Sequence, residues 1–196
     1  MAKSDPAVAK KERNKTIKWV ITIFLVTIVI SGTSSLLSDV LMENSSMAVA
    51  FLILLVIILV GIVFDIIGMA VATADEKPFH SMAARKVAGA QEAIKLLRNA
   101  ERVSSICNDV VGDICGVVSG SASATIAAQI LRNFEFTWPQ VISLLMSALA
   151  AGLTVGGKAI GKSFAVNSCT AIVHTVGKLV HALKGFPDYS RKKKKK

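Results

Sequence analysis

The chain has 196 residues, of which 53% are hydrophobic and only 18% are charged. Soluble domains of this size carry about 25% charged residues, so the composition indicates an integral membrane protein. The formal net charge is +10, but Lys and Arg lie at the chain ends and in one loop, which argues against nucleic-acid binding. Three cysteines cannot build a disulfide scaffold, and no GxSxG, HExxH, P-loop or CxxC motif indicates an enzyme.

The first half of the chain contains two apolar segments. Residues 1–16 are polar and basic, and residues 17–37 form the first predicted span, with Trp19 near its start. A cleaved signal peptide is the alternative, but its apolar region would be about 7–15 residues long and end at a small-residue cleavage site. Here apolar residues return after a Ser-rich stretch. Residues 47–74 form the second predicted span, because residues 47–64 are wholly apolar and cover about 27 Å as a helix.

The second half contains two further spans and two kinds of surface helix. Residues 75–102 are polar and predict two short helices separated by Gly89. Residues 103–131 and 139–157 form the third and fourth predicted spans. Residues 158–184 predict an amphipathic helix near the membrane surface, because apolar residues recur at spacings of three and four. These residues are Ile172, Val176, Leu179, Val180 and Leu183.

The distribution of Lys and Arg predicts the topology. Residues 1–16, 75–102 and 184–196 hold five, six and seven Lys or Arg residues, whereas residues 38–46 hold none. Short loops rich in Lys and Arg stay on the cytoplasmic side. We therefore expect four spans in the inner plasma membrane, with both termini and the basic tail, residues 186–196, in the cytoplasm. The fold class is an all-α integral membrane protein with a cytoplasmic helix-turn-helix between spans two and three and a C-terminal juxtamembrane helix.

Three carboxylates fall inside predicted spans: Asp65, Asp109 and Asp113. Each costs about 2.5–3.5 kcal/mol at a helix centre, so such residues are usually functional or paired. Asp109 and Asp113 are four residues apart on one helix face, beside Asn108. Counting about 1.5 Å per residue from the cytoplasmic ends of the antiparallel spans two and three puts all three carboxylates at a similar depth. Carboxylate and amide oxygens suit Mg²⁺.

A structural role for the same carboxylates is the alternative. In that interpretation the aspartates pair with Lys158 or Lys162, or bond to Ser and Thr hydroxyl groups. Lys158 lies about 19 residues into the fourth span, where a lysine can extend to the membrane surface.

The third span also has small residues four positions apart, which leaves one helix face nearly flat. A flat face allows another backbone to approach closely. The partner is either another helix of the same chain or a second copy, in a homodimer. The residues are Gly112, Gly116, Gly120, Ala124 and Ala128.

The histidines and cysteines give no metal-binding pattern. The histidines are too scattered for a zinc site, and we expect the cysteines to be reduced, buried apolar residues. They are His80, His174, His181, Cys107, Cys115 and Cys169.

Over residues 47–185 the sequence resembles the transmembrane domain of the CNNM/CorC (CorB) family of magnesium transporters. FDIIGMA at residues 64–70 is similar to the family's first motif, a Phe, a short Ser/Gly-rich turn carrying Glu, and Ala. The helix-Gly-helix at residues 79–100 follows in the family order. Cys-Asn-Asp at residues 107–109 matches the family's Gly-Asn-Thr, and GKAIGKSFA at residues 157–165 matches its Gly-Glu-x-x-Pro-Lys-x-x-Ala segment.

The resemblance implies a homodimer that binds dehydrated Mg²⁺ through oxygen ligands. By position Asp65 takes the role of a family Ser, Asn108 keeps the role of Asn, and Asp109 stands in place of Thr. Gly68 and Lys158 stand where the family has Glu. The CBS-pair domain of the family is absent from residues 1–196, so we expect no nucleotide partner.

Two functions follow as hypotheses. The first is transport of Mg²⁺ or another divalent ion such as Co²⁺, with Asp65, Asn108 and Asp109 as ligands and Asp113 close behind. The alternative is a membrane scaffold that does not transport and whose basic ends bind anionic lipid of the inner leaflet or a partner protein. Neither hypothesis makes the chain an enzyme.

Overall fold

The structure is a computed structural model that describes residues 6–43, 45–134 and 138–192, and the side chains of residues 17–38, 40–42, 45–134 and 138–183. These residues form helices joined by short turns, and no strand occurs among them. A π-helical segment, Ile106–Val111, joins α5 to α6. The helices are α1 Pro6–Glu43, α2 Met47–Thr73, α3 Lys77–Ala84, α4 Ala90–Leu97, α5 Ala100–Ser105, α6 Gly112–Asn133, α7 Pro139–Asn167 and α8 Cys169–Lys192.

Four segments are long and apolar enough to cross a membrane, which confirms the predicted class of protein. They are Ile17–Met42, Met47–Thr73, Ala100–Asn133 and Pro139–Asn167. The third consists of α5, the π-helical segment and α6 in one continuous helical rod.

Three boundaries differ from the sequence-based expectation. The first span lies within a helix that already begins at Pro6. The fourth continues to Asn167 rather than ending near residue 157. No Pro interrupts it after Pro139, and Lys158 has a partner inside the bundle. The juxtamembrane helix consequently starts at Cys169.

The end of α8 is a further difference. We expected it to end at Gly185-Phe186-Pro187, but it continues to Lys192. Pro187 cannot donate a helical hydrogen bond, and nothing in the sequence accounts for the continuation. The rest of the lysine tail, residues 193–196, lies outside the described residues.

Helix α2 is at the centre of the bundle and packs against α6 and α7, while α1 packs against α6. A cluster of buried side chains from these four helices includes Met42, Leu54, Ile126 and Met146. The Gln129 side-chain amide donates a hydrogen bond to the backbone oxygen of Met42, which attaches the end of α1 to α6. The bundle therefore places α2, which carries Asp65, against both the third span and α7.

The other end of α2 is surrounded by the short helices. Phe79 of α3 is fully buried in a second cluster with side chains of α2, α4 and α8. Gly89, before α4, has a φ of 82°, a conformation that favours glycine. Gly177 of α8 packs directly against it, since a Cβ atom at Gly177 would lie 2.5 Å from the backbone oxygen of Gly89. Helices α4 and α8 are thus in close backbone contact.

Candidate functional site

Asp65 is a buried carboxylate at the α2–α7 interface, with only 4% of its side chain exposed. Lys158 Nζ lies 3.4 Å from its Oδ1, and Lys162 Nζ lies 3.8 Å from its Oδ2. The two lysines are one turn apart on α7, so both reach the same carboxylate. An unpaired buried charge would cost several kcal/mol. The pairing with lysine that the sequence left open as an alternative is therefore present.

Gly112 brings α6 against this ion pair. Its backbone oxygen accepts a hydrogen bond from Lys158 Nζ at 3.4 Å. A Cβ atom at Gly112 would lie 3.1 Å from Asp65 Oδ1 and 3.1 Å from Lys158 Nζ. A side chain here would crowd both charged groups, so the glycine allows one ammonium group to bind the carboxylate and the carbonyl together.

Asn108 belongs to the π-helical segment and lies beside α2, one helical turn beyond Asp65. Its Nδ2 donates to Ser104 Oγ at 3.2 Å, and its carboxamide packs directly on Gly68, where a Cβ atom would lie 2.8 Å from Asn108 Cγ. Gly68 follows Asp65 by three residues, about 4.5 Å along the helix axis. Asp65 and Asn108 are thus neighbours at the interface of α2 with the third span.

Two side-chain oxygens of this site lack a hydrogen-bond donor. Asp65 Oδ2 and Asn108 Oδ1 are buried, and among the described residues neither accepts a hydrogen bond. Buried polar atoms in proteins normally have a hydrogen-bond partner, so two buried oxygens without one are unusual. An oxygen acceptor of this kind can bind water or a cation. The local charge opposes the cation, because one carboxylate faces two ammonium groups.

Asp109 and Asp113 do not join Asp65. Both side chains are exposed, and Asp109 Oδ2 accepts a hydrogen bond from Ser105 Oγ at 2.7 Å. Within the described ranges, no group of three or more His, Cys, Asp or Glu residues is placed to hold a metal ion. The expected convergence of three carboxylates is therefore wrong for this part of the chain.

Asn108 and Asp109 lie in an irregular part of the third span, the π-helical segment. This segment packs against α2. A π-helical turn has one residue more than an α-helical turn and is frequent at functional sites. Asp109 and Asp113 nevertheless share one exposed face with Ile106, Val117 and Gly120, at the spacing of three and four residues that an α-helix gives. Sequence reasoning missed this segment, and no residue type in it signals a π-helix.

The remaining histidines and cysteines form no cluster in the described structure. His80 contacts Glu76 Oε2 at 3.2 Å, and His181 contacts Glu92 Oε2 at 3.4 Å. The three cysteines are free, but only Cys107 is buried as expected, whereas Cys115 and Cys169 are half-buried. None of these groups adds a ligand to the site around Asp65.

No family model matches this chain, and it matches neither a curated protein nor a solved structure.

Proposed function

We propose that this chain moves a divalent cation, Mg²⁺ or Co²⁺, across the membrane, with Asp65 and Asn108 as its oxygen ligands. The observation that carries the proposal is the pair of buried oxygens without a donor, Asp65 Oδ2 and Asn108 Oδ1, on adjacent turns of one helix interface. Carboxylate and carbonyl-type oxygens are the ligands that hard cations prefer. The motif resemblance to the CNNM/CorC family assigns the same two positions.

Lys158 has a definite role in this proposal. Its ammonium group lies against Asp65 Oδ1 and the backbone oxygen of Gly112, which are oxygens that an entering ion would use. A divalent cation must displace it, because like charges at this distance repel strongly in a low-dielectric site. The Lys158 side chain is 21% exposed, so it has a path away from the carboxylate. We expect metal affinity to be weak for this reason.

The proposed transporter is a homodimer with both termini and the α3–α4 segment in the cytoplasm. The surface that supports a dimer is the small-residue face of α6, where Gly120, Ala124 and Ala128 are exposed. A Cβ atom at Gly116 or Gly120 would meet no atom within 4 Å. This face therefore has room for a second backbone.

A membrane scaffold without transport is the second candidate. It is favoured by the two lysines at Asp65, which already neutralise the carboxylate without any ion. In this case the buried ion pair fixes α7 against α2, and the basic ends bind anionic lipid or a partner protein.

Metal-dependent stability separates the two functions. We expect millimolar Mg²⁺ or Co²⁺, compared with Na⁺ at equal ionic strength, to raise the melting temperature of the purified protein. Asn108→Ala should abolish this increase, whereas Asp113→Asn, which changes an exposed carboxylate, should retain it. Flux of the ion into liposomes should follow the same order. No metal-induced shift and no flux in the wild type would leave the scaffold function.

A further inference from the structure

We propose that an anionic phospholipid binds in the groove between α2 and α8, with an acyl chain in the groove and its phosphate at Lys178. The groove has a volume of about 860 Å³, within the range of about 300–1000 Å³ typical of small-ligand sites. Its walls are apolar, and Lys178 is the charged residue among them. Characteristic wall residues are Val63, Ile67, Phe164, Ile172 and Leu179.

The position of the groove along α2 matches one leaflet. Val63 and Ile67 precede Thr73, the last residue of α2, by ten and six residues, about 15 and 9 Å along the helix. Half of a hydrocarbon core of about 30 Å is about 15 Å. On α2 the groove therefore lies about 9 to 15 Å from the end of the span, a depth within one leaflet that an acyl chain occupies.

One side of helix α8 packs against other helices of the chain, and its groove side carries exposed apolar side chains. Val173 is fully buried and Gly177 packs on Gly89, so this side faces α4. On the groove side Leu179 is 62% exposed, and Leu183 beyond it is 64% exposed. Apolar side chains are more stable against hydrocarbon than in water. Because α8 begins directly after the membrane helix α7, it lies close to the lipid. An acyl chain in the groove would therefore cover these side chains.

Lys178 supplies the preference for a negative headgroup. Among the described side chains it forms no ion pair, so its ammonium group is available. Lysine is a frequent phosphate ligand. The nearby Thr175 hydroxyl is already used, because it donates to the backbone oxygen of Ala171 at 2.8 Å. The proposed lipid site does not depend on the cation site at Asp65.

Lipid retention measured by native mass spectrometry tests the proposal. We expect the wild type to retain phosphatidylglycerol about fivefold better than phosphatidylcholine, a factor that corresponds to about 1 kcal/mol for one lysine near an anionic headgroup. Lys178→Gln should abolish the preference, and Lys95→Gln, an exposed lysine of α4, should keep it. Equal retention of both lipids by the wild type, or an unchanged preference in Lys178→Gln, overturns the proposal.

A second pair of variants tests the groove itself. Ala171→Trp fills the groove and should reduce retention of both lipids, whereas Ala148→Trp, at an exposed position of α7 outside the groove, should not. If Ala171→Trp does not fold, Leu179→Trp in a background of Trp19→Phe and Trp138→Phe gives an independent measurement. Brominated phosphatidylglycerol should quench the fluorescence of this single tryptophan more strongly than brominated phosphatidylcholine does. Equal quenching, or lipid loss on concentration-dependent dimerisation, overturns the proposal and assigns the groove to bulk lipid or a second copy.

Discussion

The ammonium group of Lys158 lies where a bound cation would neutralise Asp65, 3.4 Å from its Oδ1. Lys162 is a weaker partner, because it lies 3.8 Å from Oδ2 and its side chain is 49% exposed. In the proposed transport function, the two lysines would therefore differ in how strongly they compete with the metal ion. Without metal, removal of Lys158 also costs more contacts than removal of Lys162, because Lys158 additionally donates a hydrogen bond to the Gly112 oxygen.

We predict that Lys158→Met binds Mg²⁺ about tenfold more tightly than the wild type, because Asp65 Oδ1 and the Gly112 oxygen become free for the ion. At saturating Mg²⁺ this adds about 1.4 kcal/mol of stabilisation, or about 3–5 °C in melting temperature for a chain of this size. Differential scanning fluorimetry with and without Mg²⁺ measures the shift. Lys162→Met is the matched control and should gain less. An unchanged shift in Lys158→Met would show that the lysine does not compete with metal.

The sequence predicts how far along each span the candidate site residues lie, but it does not predict which way their side chains face. Counting residues along each span puts Asp65 level with Asp109 and Asp113, and in the structure Asn108, the neighbour of Asp109, packs on Gly68, one turn from Asp65. Asp109 and Asp113 do share one face of the third span, but that face is exposed instead of lying against Asp65. Lys158 was expected to end the apolar span. The span continues past Lys158, because a charged side chain that has a buried partner does not need to reach the membrane surface.

The close approach of α4 and α8 depends on two glycines. A Cβ atom at Gly177 would lie 2.5 Å from the Gly89 oxygen and 3.1 Å from Ala93 Cβ. We predict that Gly177→Ala destabilises by about 1–3 kcal/mol, as overpacking does, and lowers the melting temperature by about 2–12 °C. Gly152→Ala is the control, because no atom lies within 4 Å of its Cβ position and alanine favours the helix. Equal melting temperatures for both variants would contradict the contact.

Glu92 of α4 and His181 of α8 add an ion pair to the same contact when the histidine is protonated. Burial raises the pKa of Glu92, but hydrogen bonds from the backbone and His181 and the nearby charges of His181 and Lys95 outweigh it, so the net pKa lies below the ordinary 4.5. A lowered carboxylate pKa means that the folded state favours the ionised form. The stabilisation is present above about pH 4.5 and is lost as pH falls through the folded-state pKa.

We therefore predict that the wild type loses melting temperature relative to Glu92→Gln as the pH is lowered from about 6 to about 3.5, because only the wild type carries this ionisable carboxyl group. Thermal melts of both proteins across this range measure the difference. A constant difference at every pH would mean that the Glu92–His181 contact contributes nothing to folding.

The four membrane helices together leave one face of α6 without a partner in the described structure. Helix α1 covers the side of the third span that carries Val110, Ile114 and Val118. Gly120 is two residues after Val118, about 200° further round the helix, and is exposed. The fold thus uses one side of α6 and Gly112 within the chain, while Gly120, Ala124 and Ala128 of the small-residue face remain accessible to a second molecule.

On this basis we predict that Gly120→Leu weakens the proposed homodimer by at least about tenfold, because a leucine at the closest backbone approach would separate the two helices. Ala148→Leu, at an exposed position of α7, should leave the dimer unchanged. Light scattering of the detergent-solubilised protein over a concentration series gives both dissociation constants. A monomeric wild type at every concentration, or identical constants for wild type and Gly120→Leu, would reject this face as the dimer interface. The variant should also keep its Mg²⁺-induced melting shift, since Gly120 lies two turns from Gly112 and does not contact Asp65 or Lys158.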